Sequence, residues 1–255
     1  MTESQLAGTA IVIGGGSGVG RATVLALVAR GTQVWAVGRD RARLEAVRAE
    51  AAGPGRVVPR ALDATDAAAM DRVIDEANPD LIVVSAGARA RLGLVHEQTW
   101  ESFSEPWNTD VKLAFQVGQT ALRRPLRPGS VVVIVSSGAG LGGSPLSGGY
   151  GGAKRTQMFL AGYLQRSADL AQRGLRFVAV VPKQIMPGTE LGAAAADAYA
   201  ALGGMTREKF MEKFGAPLTP EAVASAIVDV WQGTLQPPLR DARVLAVSGA
   251  GLEAL

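Results

Sequence analysis

Cysteine is absent from this chain and histidine occurs once, at His96. Disulfides, thiolate nucleophiles and cysteine-ligated zinc are therefore excluded, and a Ser-His-Asp triad would have to rest on that single imidazole. No metal centre is expected. Charge of one sign does not prevail either: 26 Lys and Arg against 23 Asp and Glu leave a formal charge of +3. The arginines are scattered, which argues against a nucleic-acid-binding face. No apolar run approaches the roughly 20 residues that a membrane helix needs. Residues 1–8 lack the basic-then-apolar layout of a signal peptide, so a cytoplasmic location with no membrane partner is expected.

What is present is a steady alternation. Short β-branched runs at 9–13, 33–37, 56–61, 80–84, 130–135, 175–181 and 244–247 are separated by Ala/Leu/Arg segments of helical period at 18–30, 41–52, 66–77, 99–122, 150–173 and 220–232. Such alternation builds strand-helix-strand units on a parallel sheet, and the unbroken apolar character of the runs predicts burial on both faces. With 47% hydrophobic and 19% charged residues and no linker, one α/β domain over 1–255 is expected. Residues 183–215 stand apart as a Gly/Ala-rich stretch with scattered Met, Phe and Tyr, and read as a lid.

Between the first strand and the first helix runs Gly14-Gly15-Gly16-Ser17-Gly18-Val19-Gly20. A helix N-terminus presents unpaired N–H groups and a partial positive charge, and glycine lets a pyrophosphate approach them. The second strand ends Ala36-Val37-Gly38-Arg39, without the acid that holds an adenosine ribose hydroxyl. Gly38 leaves space there and Arg39 can pair with a 2′-phosphate, so NADP(H) is preferred over NAD(H). Arg39 can equally be the first residue of a solvated loop shared with Arg41 and Arg43.

Tyr150 and Lys154 stand four apart on one helix face. A phenol is a poor acid or base near neutrality, and a nearby ammonium favours its phenolate, which then serves proton transfer to an alkoxide or from an alcohol. Ser136-Ser137 closes the strand before them and can orient a substrate oxygen. With these features in this order, the chain resembles the short-chain dehydrogenase/reductase family over nearly its whole length. That family implies a Rossmann-type doubly wound parallel sheet of about seven strands with helices on both faces, and NADP(H)-dependent exchange of hydride with a carbonyl or alcohol. Its catalytic serine lies thirteen residues before its tyrosine, which selects Ser137 beside Tyr150 and Lys154.

The resemblance further implies a cofactor site of Gly14, Gly16, Ser17, Gly18, Val19, Gly20, Gly38 and Arg39 on the phosphates. Asp63 and Ala64 would meet the adenine, Ser85, Ala86 and Gly87 the ribose, Lys154 the nicotinamide ribose, and Pro182 and Ile185 the carboxamide side. Asp63 alone reads equally as a helix cap. A homo-oligomer, dimer or tetramer, formed through the two longest helices is also implied.

Five positions depart from the family pattern. Asn-Ala-Gly is Ser85-Ala86-Gly87, the Thr before the first glycine is Ile13, and Pro-Gly after the sixth strand is Pro182-Lys183, with Pro187 or Thr189 where a threonine is usual. Asp110 stands in place of an asparagine whose backbone holds a water in the proton relay to the lysine. Its carboxylate would neutralise Lys154 and oppose a phenolate, so it joins the catalytic candidates.

Met186, Leu191, Tyr199, Leu202, Met205, Phe210, Met211 and Phe214 would close an apolar pocket over the nicotinamide for a medium-sized, largely apolar ketone or alcohol, or else form the inner face of ordinary lid helices. Besides a reductase, a cofactor-binding sensor and a non-redox dehydratase or epimerase on the same fold remain open.

Overall fold

A computed structural model describes residues 8–88 and 91–255. The leader reading of residues 1–8 thus falls almost wholly outside the described residues. Eight strands form one sheet in the order β3-β2-β1-β4-β5-β6-β7-β8: β1 Thr9–Ile13, β2 Gln33–Gly38, β3 Arg56–Ala61, β4 Leu81–Val84, β5 Val131–Val135, β6 Arg176–Pro182, β7 Val244–Ser248 and β8 Gly251–Ala254. The first seven run parallel. The chain reverses direction across the sheet between β1 and β4, the switch point where ligands bind in such sheets.

Residue alternation along the strands explains the two layers. Val12, Val83 and Val133 face a core shared with α1 Gly18–Ala29, α2 Arg41–Glu50 and α10 Pro220–Gln232. Ile13, Ile82 and Ile134 face the opposite core, which takes Val73, Leu113 and Leu164 from α3 Ala67–Ala77, α5 Lys112–Arg123 and α7 Gly148–Leu170. Strands buried on both faces are therefore continuously apolar, as in β4 and β5.

Two expectations are corrected. The sheet has eight strands rather than about seven: β8 pairs antiparallel with β7 after a two-residue link and alternates exposed with half-buried side chains. The helix expected over 99–122 is broken into α4 Trp100–Pro106, a π-helical turn Trp107–Val111 and α5. Pro106 supplies no N–H to the ladder, and the widened turn that follows carries Asp110 inward to full burial. A four-residue helix α6, Ala139–Gly142, interrupts the loop after β5, and the 183–215 stretch contains α8 Glu190–Leu202 and α9 Arg207–Met211. Among the described residues no helix is long and apolar enough to cross a membrane.

Candidate active site

The end of β5 and the start of α7 are stitched together around one lysine. The Ser136 hydroxyl donates to the Lys154 carbonyl at 2.7 Å, and the Lys154 ammonium donates to the Val135 carbonyl at 3.4 Å. Tyr150, one turn earlier on α7 and half-buried, has its ring centroid 5.4 Å from Lys154 Nζ. Ser137 follows directly after Ser136. Its oxygen accepts from the Ala139 N–H at 3.3 Å, and among the described residues no acceptor takes its hydroxyl hydrogen.

Beneath Lys154 lies Asp110. Oδ1 accepts from the Ala88 N–H at 2.6 Å, and Oδ2 faces Lys154 Nζ at 3.0 Å in a bent ion pair without an aligned hydrogen bond. The carboxylate presses so closely on the strand exit that a Cβ at Gly87 would lie 2.6 Å from Oδ2. Burial works against the Lys154 ammonium, but the negative charges of Tyr150 and Asp110 and the close Asp110 contact outweigh it and hold the lysine above its ordinary value. Gln157 completes the cluster, accepting from Lys154 Nζ at 3.0 Å and donating to the Asp110 carbonyl at 3.1 Å. No motif marks it. The available signal is its place three residues beyond Lys154 on the same helix face.

At the other side of the switch point, the glycine turn is shaped for close approach. Gly14 has φ +86°, and a Cβ there would sit 2.6 Å from the Ala86 nitrogen, while one at Gly20 would run into the Gly14 carbonyl oxygen. Ser17 makes no side-chain cap and the first turn of α1 holds no acid, which leaves its N–H groups open to an anion. Gly16 lies beside Arg43, which pairs with Asp40 at 3.4 Å and with Glu190 of α8 at 2.7 Å.

Arg39 is exposed and its charge acts on Asp63, whose carboxyl is lowered mainly by hydrogen bonds from the Thr65 N–H and hydroxyl. The cap of α3 is Asp66, not Asp63. Ala64 is buried beside the exposed Asp63, and Ser85 is bonded through its N–H to the Ile13 carbonyl. Pro182 ends β6, Ile185 is half-buried, and Lys183 points outward to Glu253 at 2.8 Å. Thr189 caps α8, and its methyl faces Gly18 across the turn, whereas Pro187 is exposed.

The aromatics of 183–215 pack on one another: Tyr199 stacks on Phe210 at 5.8 Å, and Phe210 meets Phe214 edge-on at 5.3 Å. The Tyr199 hydroxyl bonds the Ser144 hydroxyl in the loop before α7. A cleft of about 710 Å³ beside that loop is walled by Val95, Leu141, Ser144, Pro145, Ser147, Arg155 and glycine backbone. None of the eight apolar residues of that stretch lines it, and Leu202 is exposed. Among the described residues no cluster of side chains suited to a metal ion occurs.

Comparison with known proteins places these features in context. A family model described as short chain dehydrogenase matches residues 8–199. The chain is 34% identical over 127 residues to the L-xylulose reductase of Mesocricetus auratus, covering 50% of this chain and 51% of that one. It is 32% identical over 130 residues to the carbonyl reductase [NADPH] 2 of Sus scrofa, covering 50% and 52%. In these matches the chain spans about half the length of the curated relatives. Among solved structures, a short-chain type dehydrogenase/reductase from Mycobacterium ulcerans superposes with a TM-score of 0.79 at 25% identity, covering 98% of this chain and 94% of that one.

Proposed function

The chain belongs to the short-chain dehydrogenase family, and from that premise we propose that it transfers hydride between NADP(H) and a ketone or secondary alcohol of medium size. The observation that carries this reading is the half-buried Tyr150 ring 5.4 Å from an enclosed lysine ammonium. Tyr150 gives its proton to the carbonyl oxygen or takes one from the alcohol, Lys154 supplies the positive charge that favours its phenolate, and Ser137 offers its uncommitted hydroxyl to the substrate oxygen.

The residues present fit a nicotinamide dinucleotide, because the first turn of α1 is uncapped and β2 ends without an acid. Gly14, Gly16, Ser17, Gly18, Val19 and Gly20 would hold its pyrophosphate, and Gly38 with Arg39 a 2′-phosphate. Asp63 and Ala64 would meet the adenine, Ser85 to Gly87 and Lys154 the riboses, and Pro182 and Ile185 the carboxamide side. When bound, the group supplies or accepts the hydride. The bracketed cofactor in the name of the porcine relative supports the NADP(H) preference. Exposed Phe115, Phe159 and Tyr163 on α5 and α7 support a homo-oligomer.

The apolar residues of 183–215 suggest an apolar substrate, but none of them lines the cleft beside Ser144, whereas the names of the reductase relatives point to sugar-like ketones. A panel holding both classes, followed by NADPH absorbance with NADH alongside, tests the proposal. Turnover by the wild type, lost in Tyr150→Phe and weaker with NADH, is expected. Tight NADPH binding with no turnover on any carbonyl would favour the second reading, a cofactor-binding protein without redox turnover, to which the Asp110 carboxylate against Lys154 lends support.

A further inference from the structure

Gln157 is fully enclosed, and nothing in the reaction just described uses it. The orientation of its amide is fixed by chemistry. With Nε2 donating to the Asp110 carbonyl at 3.1 Å, Oε1 must face Lys154 Nζ at 3.0 Å. The flipped amide would set an NH2 against an ammonium and an oxygen against a carbonyl, leaving both contacts repulsive.

An ammonium has three hydrogens, and here three protein oxygens surround it: Gln157 Oε1 at 3.0 Å, Asp110 Oδ2 at 3.0 Å and the Val135 carbonyl at 3.4 Å. Two of its N–H groups are donated, to Gln157 and Val135, the Asp110 carboxylate attracts the ammonium as an ion pair, and the contact with Tyr150 is with its ring, 5.4 Å from Nζ to the centroid. The charged and titratable groups acting on the lysine are Asp110, from the π-helical turn, and Tyr150, from its own helix. From β5 it meets only a carbonyl, and the Ser136 hydroxyl is committed to the Lys154 backbone. We propose that Gln157 is a positioning residue whose carboxamide holds the Lys154 ammonium toward Asp110 and away from the Tyr150 phenol, so that lysine acts on tyrosine through charge alone. Its catalytic meaning rests on the oxidoreductase reading, but its physical content does not.

Removing the carboxamide frees one N–H and deletes the negative end of a dipole pointed at the ammonium. Both changes raise the positive potential at Tyr150 and favour its phenolate. The test is an ultraviolet titration of tyrosinate in the cofactor-free protein, with Tyr150→Phe subtracted to remove Tyr163 and Tyr199. Gln157→Met is expected to lower the Tyr150 midpoint by roughly half a pH unit or more. The pH profile of kcat should follow, with the KM for the carbonyl little changed.

Gln157→Asn keeps an amide too short to span both partners and should shift the midpoint the same way, which maintains the test if the methionine variant does not fold. An unchanged midpoint in whichever variant folds, with the loss confined to melting temperature, overturns the proposal and leaves Gln157 as packing. Shifted midpoints in a protein that turns over no carbonyl would sink the oxidoreductase reading and leave the positioning role standing.

Discussion

The Lys154 ammonium and the Asp110 carboxylate face each other at 3.0 Å with 8% and 0% of their side chains exposed. Removing one partner of such an enclosed pair strands the other as a buried charge. Asp110→Ala is therefore expected to cost about 3–5 kcal/mol of stability, and Asp110→Asn less, because its amide oxygen can still accept from the Ala88 N–H. The pH dependence has a definite sign. Lys154 is held above its ordinary value in the folded chain, so its protonation contributes fully below the ordinary lysine range, and that contribution is lost as pH rises through the raised value. In Asp110→Ala the carboxylate's share of the raise is gone while the Tyr150 share and the burial remain, so less stability is lost on the alkaline side. Melting temperature followed from neutral to alkaline pH should fall for the wild type and fall less steeply for the variant.

Arg39 distinguishes the two cofactors. If it pairs with a 2′-phosphate, Arg39→Ala weakens NADPH about ten- to a hundredfold, the worth of a lost charge-assisted bond, and leaves NADH nearly unchanged. Cofactor fluorescence titrations at one fixed ionic strength measure both constants. Equal loss for the two cofactors would return Arg39 to the role of a solvated loop residue.

Gly20 allows α1 to start against the glycine turn. A Cβ there would collide with the Gly14 carbonyl oxygen, which is backbone and cannot swing aside. Gly20→Ala is expected to displace the helix N-terminus, weaken both cofactors together and lower the melting temperature, as read by the same titrations and a thermal melt.

How far the chain could be read in advance follows from what each element needs. Strands β1 and β3 match the expected bounds, and the central strands are β-branched because helices cover both faces. The edge strand β8 contains a glycine and a glutamate and alternates in exposure, so no apolar run announces it. Pro106 was a readable break inside the helical pattern, but the inward turn of Asp110 depends on a widened turn that periodicity does not encode. Tyr150 and Lys154 are legible because helical spacing alone puts them on one face. Gln157 is not, because an internal polar residue earns its partners only once the turn carrying Asp110 is in place.

Helix α8 is tied to the rest of the chain at two points, and the two ties predict different kinetics if the helix covers the site as proposed. Near its start Glu190 pairs with Arg43 at 2.7 Å beside Gly16, and farther along the Tyr199 hydroxyl bonds Ser144 in the loop before α7. Tyr199→Phe removes only the second tie, worth about 1 kcal/mol, and is expected to raise the KM for the carbonyl several-fold while cofactor affinity holds. Glu190→Gln removes a negative charge near the proposed phosphate site and frees Arg43. Both groups are well exposed, so NADPH should tighten by less than about tenfold, with the carbonyl KM unmoved. Initial-rate kinetics with each substrate varied in turn separate these outcomes. If both variants shift the same constant, α8 moves as one rigid strap rather than answering separately to cofactor and carbonyl.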